Sequence, residues 1–260
     1  MSEVESKETP AFYGIEEMEA EIAKSLSLKV PDYLALLADA YALSGTALLA
    51  AYPDTKVPLD KMVATKLLML LNNDVRAVHL LAEVGYNSQA NSIAASVYEA
   101  SFTIATISGD ASLADAWLKH EDPTKPFRNA KSLTASGLAK YGADANWIVP
   151  LYQIYRQFCW GKHLNPIAEQ QGGMERSNDG LDYIPGPNDD ELTERGICFS
   201  SIHSTLCTLI AVEVFARYYV LTQHRSTLLQ RLKAISDQRQ LLHEGALARW
   251  NSVDPFPGKW

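Results

Sequence analysis

Apolar residues in this chain return at intervals of three and four, and no stretch alternates apolar with polar residues long enough to build a half-buried strand. That rhythm restricts the chain to helices packed on helices. Leu34, Leu36, Leu37, Ala40, Leu43 and Leu48 form one such face, opened at Pro31-Asp32 and stopped at Tyr52-Pro53. The next helix starts at Pro58-Leu59-Asp60 and carries Met62, Leu67, Leu70, Leu71, Val75, Val78 and Leu81, with Gly85 placed as a C-cap glycine. Asn87-Ser88 are predicted to cap a third, with Ile93, Val97, Ala100, Ile104 and Ile107 inward. Its small residues (Ala94, Ala95, Ser96, Ala100, Ser101) let a neighbouring helix approach closely. A short helix from Ser112 to Lys119 follows, then one from Phe127 to Lys140 closed at Gly142.

The aromatic-rich stretch from Asp144 to Pro166 is the helix around which the others are expected to gather. Pro150, near its beginning, either kinks it or marks its first turn. Residues 167–188 have no periodicity and hold Gly172-Gly173, Ser177-Asn178-Asp179-Gly180 and Pro185-Gly186-Pro187-Asn188. They read as one long Gly/Pro-rich loop. Asp189-Asp190 then cap the longest helical run, through Ile197, Ile202, Leu206, Leu209, Ile210, Val214 and Tyr218. In the last helix Leu221, Leu228, Ile235 and Leu242 fall at seven-residue intervals, a spacing that suits a coiled-coil-like seam and an oligomer contact. Its excess of Arg and Lys, Arg239 included, reads as a solvated exterior. The expected fold is therefore all-α, a helical bundle with short connections and one long loop. Residues 1–29 form an acidic, partly disordered segment, residues 30–250 a single helical domain, and residues 251–260 an extended tail.

A net charge of -8 excludes a general polyanion binder, so any nucleic-acid contact needs a local basic surface. Cys159, Cys198 and Cys207 are odd in number and lack a C-x-x-C pair, which fits reduced thiols. The leading MSEVESKETP has no apolar core of a secretory signal. The apolar runs Leu67–Leu71 and Cys207–Val214 are broken by charge, and neither reaches the roughly 20 residues of a membrane span. A cytoplasmic protein without a membrane partner is expected.

Phosphate-binding Gly-rich loops, H-E-x-x-H, G-x-S-x-G and Glu-x-x-His pairs are all missing from the sequence, and its six histidines are dispersed. No metal or other cofactor is expected. The positive candidate is Arg156 with His163. Seven positions is close to two helical turns, so both project from nearly one face, roughly 10 Å apart along the axis. A permanent cation beside a titratable imidazole suits phosphodiester chemistry: the guanidinium holds phosphate, and the imidazole moves the proton. The plainer reading is structural, with Arg156 capping carbonyls or pairing with Glu99 and His163 satisfying the helix end. Glu99 lies among small and apolar inward positions, where a carboxylate needs a partner, and His203 lies inside the apolar run Cys198–Val214. For His203 the alternatives are a satisfied core histidine and a site member.

The spacing Arg156-x6-His163 in a late helix resembles the R-x(4–6)-H signature of the HEPN superfamily, with Gln157 where that family more often has Asn, Asp or His. The resemblance implies a metal-independent endoribonuclease of a toxin–antitoxin or phage-defence system. Arg156 would meet the scissile phosphate, and His163 would act as general acid or base. It also implies RNA as substrate, a cleft shared across a homodimer, and an antitoxin or other protein partner. Gly85-Tyr86 through Glu99, followed by Tyr155-x3-Cys159-x3-His163-x2-Pro166, is similar to a family of uncharacterised all-helical bacterial proteins. Ala95 stands where that family has arginine, and the likeness implies the fold; Glu99, His203, Gln157 and Tyr155 are the expected supporting residues around Arg156 and His163. Outside the HEPN resemblance, the alternative function is a non-catalytic helical module that senses or binds a partner.

Overall fold

The computed structural model describes residues 14–51, 56–122, 126–162, 174–177, 180–183 and 187–251, and side chains outside 160–186. The predictions for the first dozen residues, for His163 to Pro166, for most of the long loop and for the tail fall outside the described residues.

Helices α1 (Ile15–Lys29), α2 (Pro31–Ala50), α3 (Leu59–Glu83) and α4 (Asn87–Ile107) follow one another along the chain. Then come α5 (Ala111–Leu118), α6 (Ala130–Tyr141) and a 3-10 turn (Ala145–Trp147) that runs straight into α7 (Ile148–Lys162). Pro150 thus occupies the first turn of α7, where its missing N–H costs nothing. Two long helices close the fold, α8 (Glu191–Tyr219) and α9 (Thr222–Trp250). Side-chain caps mark the entries: Asp110, Asn129, Asp144 and Asp190 each accept a backbone N–H of the first turn. The predicted cap of α4 differs. Asn87 is already helical, and its Oδ1 accepts a hydrogen bond from Asn91 Nδ2 instead. Within 167–188 the backbone forms a short antiparallel ladder, β1 (Met174–Ser177) with β2 (Gly180–Tyr183), where the sequence suggests only loop.

Helix α4 is the hub. It packs against α3, α6, α7 and α8, and its small residues bring those neighbours close. A β-carbon on Gly137 of α6, for example, would meet Phe102 at 2.8 Å. The direction of each helix follows from which ends touch. Gly196, early in α8, lies against Asn87 at the start of α4, while Gly109, just past the end of α4, receives Tyr218 and Tyr219 from the end of α8. Helices α4 and α8 are therefore parallel. Helix α3 runs against both, since Asp60 at its start accepts from the Tyr219 hydroxyl and from Gly109 N–H. Helix α9 returns along α8, ending with Arg249 on Glu194. It also lies antiparallel to α2, with Tyr33 on the Leu242 carbonyl and Arg231 on Thr46.

Two sequence expectations change here. In α3 the buried face is Leu67, Leu71, Val75 and Val78, while Met62 and Leu70 turn outward. In α9 the heptad positions Leu228 and Ile235 are buried in the chain's own core, with Leu242 packed against it, so the seam closes the bundle from within. Helices α2 and α9 pack on each other and on α8, which is buried over most of its length. By length and composition α2 and α8 could each cross a membrane, and α8 meets that description because it is the core helix.

Candidate functional site

Helix α7 packs on α4 and α6 and touches α8 through Phe158. Two aromatic contacts fix it, Tyr155 on Tyr98 (5.0 Å between ring centroids) and Phe158 edge-on to Phe199 (5.4 Å), while Tyr152 stacks on Tyr155 within α7 itself (6.2 Å). The Tyr155 hydroxyl donates to Glu99 Oε1 at 2.6 Å. Burial, and then the bond to Glu99, push the Tyr155 phenol far above its usual range, so it stays a donor. Tyr98, fully buried, pairs its hydroxyl with Thr134 of α6. Tyr155 and Glu99 are thus brought together, and Glu99 also lines a shallow cleft with Asp74, Trp117 and Phe127.

The other sequence candidates are dispersed around α7. Arg156 is exposed, and its Nη1 donates to Gln153 Oε1 at 3.2 Å, one turn back on the same helix. Gln157 is half-buried with Oε1 unpartnered among the described residues. His163 lies outside the described residues. No cluster of three metal-ligating side chains occurs among the described residues.

His203 is placed elsewhere, in a cavity of about 440 Å³ between α6, α7, α8 and α9. Helical spacing builds the walls. Leu151 and Ile154 come from α7, Leu206 and Ile210 from α8, and Leu138 closes the α6 side. Exposed Trp147, Pro150 and Gln240 stand at the mouth, so the cavity reaches solvent. Its polar side is narrow: His203 from α8, and Arg239 with His243 from one face of α9.

These three side chains have an unusual electrostatic setting. His203 is 7% exposed, packs edge-on to Phe199 at 4.6 Å, and leaves Nδ1 without a hydrogen-bond partner among the described residues. Burial, then the nearby His243 and Arg239, hold its pKa down to about 3, so the ring is neutral. His243, with its ring centroid 6.1 Å from that of His203, is likewise depressed by burial and by Arg239, against an opposing pull from Glu244. Arg239 is half-buried; Nη2 donates to Gln240 Oε1 at 3.1 Å, while Nε is buried without a partner. Burial makes its charge costly and lowers its pKa. The nearby Cys207 thiol, pushed far up by burial, stays protonated and supplies no counter-charge. No carboxylate pairs with Arg239 among the described residues.

Arg239 and His243 escape a sequence reading that sorts α9 into an apolar seam and a solvated arginine face. The available signal is their spacing: four residues apart on one helix, beside a third polar residue inside the apolar run of α8. No family model matches the chain, and neither a curated protein nor a solved structure gives a match.

Proposed function

We propose that the chain is a non-catalytic binding module whose bundle holds a small apolar molecule in the cavity between α6, α7, α8 and α9. The observation behind this reading is the cavity itself, apolar on nearly every wall, open to solvent, and carrying a buried imidazole with an unpaired nitrogen. Small-molecule sites are typically concave and apolar, with a few converging polar groups. Apolar walls that face water are stabilised when an apolar body covers them. The test is a titration of the full chain with 1-decanol, followed by methyl NMR shifts and by thermal midpoint. Saturable one-to-one binding that Leu206→Trp removes supports the module. If decanol, decanoate and decyltrimethylammonium all fail to bind saturably, the reading is overturned.

A second reading, a HEPN-like metal-independent endoribonuclease in the cytoplasm, is favoured by the exposed guanidinium of Arg156 on α7. In that reading RNA is the substrate, His163 moves the proton, and two copies of the chain share the cleft with an antitoxin as protein partner. Incubating the protein with mixed RNA in EDTA distinguishes the two. Cleavage that is lost in both Arg156→Ala and His163→Ala supports the nuclease. Intact RNA with a correctly folded wild-type protein removes it.

A further inference from the structure

We infer that the molecule held in this cavity is an amphiphilic monocarboxylate, with its carboxylate on Arg239 beside His203 and its apolar body along Leu151, Ile154 and Ile210. The inference rests on the cavity being a binding site and adds the chemical class of its ligand.

Charge is the first argument. Arg239 keeps a positive guanidinium half out of water, and the groups facing it (His203 and Cys207 on α8, His243 and Gln240 on α9) offer no negative charge. A cation in such a place is stabilised by whatever anion can reach it. The cavity is the open approach.

Fit to the fork is the second argument. Arg239 Nε and His203 Nδ1 are buried without partners among the described residues and have no surface open to the cavity, so a ligand meets the partly exposed remainder of the guanidinium, with the His203 ring beside it. A carboxylate has two oxygens for the guanidinium fork and lone pairs left for an imidazole N–H. A neutral alcohol leaves the guanidinium unneutralised, and an amine adds a second positive charge.

The third argument decides between anions. One guanidinium and two imidazoles with depressed pKa values provide a single fixed positive charge near neutral pH. That matches a monoanion. A phosphate dianion would bring an extra charge into an apolar cavity with nothing to meet it. Size then limits the body: about 440 Å³ lies toward the small end of ligand cavities, which suits a medium-chain or aryl carboxylate.

The experiment is calorimetric titration of the full chain at neutral pH with decanoate, decanol and decyltrimethylammonium. Decanoate should bind roughly tenfold or more tighter than decanol, the weight of one charge-assisted hydrogen bond, and the cation weakest of all. Arg239→Gln should erase the preference for decanoate over decanol. Because that variant alters a half-buried position, Gln240→Glu provides an independent check. It places a carboxylate beside Arg239 from an exposed site and should lower the ratio of decanoate to decanol affinity. Equal binding of decanoate and decanol by the wild type overturns the carboxylate and leaves the cavity reading standing. Failure of all three probes sinks both. A preference for decanoate that survives both substitutions overturns the assignment to Arg239.

Discussion

Gly196 of α8 lies so close to Asn87 of α4 that a β-carbon on the glycine would overlap the asparagine's side-chain amide. Asn87 is 2% exposed and holds Asn91, so it has little freedom to withdraw. Gly196→Ala should therefore destabilise the bundle by about 1–3 kcal/mol, the usual cost of overpacking. Urea denaturation at constant m-value measures it. An unchanged midpoint would show that the two helices separate more easily than their contact implies.

Acid should weaken the protein in a defined window. The folded pKa of His203, about 3, lies below the ordinary value near 6.5. The unfolded chain therefore binds the extra proton between these limits, and stability falls as pH drops from 6.5 toward 3. His243 shifts in the same direction and adds to the effect. By pH 5 the loss from His203 amounts to ~2 kcal/mol. Comparing urea midpoints at pH 7.5 and pH 5 for wild type and His203→Gln isolates this contribution. An equal pH response in both proteins would refute it.

Removing the Tyr155 hydroxyl should loosen α7 from α4. Tyr155→Phe keeps the ring contact with Tyr98 but withdraws the donor from Glu99. The expected loss is about 1–3 kcal/mol, the range for a hydrogen bond to a charged group. Thermal melts measure the loss, and hydrogen exchange should show faster opening in α7 than in α8.

At the start of α8, Glu194 is 6% exposed and meets Arg249 Nη2 at 2.6 Å, with Lys29 at 3.5 Å. Arg249→Ala removes the nearer cation and its stacking over Trp250. The protein should lose about 1–3 kcal/mol, because a buried carboxylate is left with a single, more distant partner. Adding Glu194→Gln to Arg249→Ala should return part of that loss. A double-mutant cycle supplies the measurement, and strict additivity would show that the two groups do not interact.

Helices and caps were legible in the sequence because they depend on near neighbours. Pro31, Asp190 and Gly142 act within one turn of where they stand. Contacts between distant segments were harder to read. Asn87 looked like a cap and became a packing partner of Gly196, a relationship set by two helices far apart in the chain. Arg239 resembled its solvated neighbours on α9, since periodicity cannot say which arginine will line a cavity. Tyr155 and Glu99 were flagged separately in the sequence, and only the crossing of α7 over α4 joins them. His203 was identified as ambiguous because an imidazole in an apolar run has two physical explanations. Its unpaired nitrogen is a three-dimensional fact.

Helices α4 and α8 lie side by side in the same direction, yet about eighty residues of chain separate the end of one from the start of the other. As the protein emerges from the ribosome, α2 through α7 are complete before any of α8 exists. The groove on α4 meant for α8 then stays greasy and uncovered for several seconds at ordinary synthesis rates. A truncated product ending before residue 190 would keep that groove permanently, and should be found bound to chaperones or in inclusion bodies.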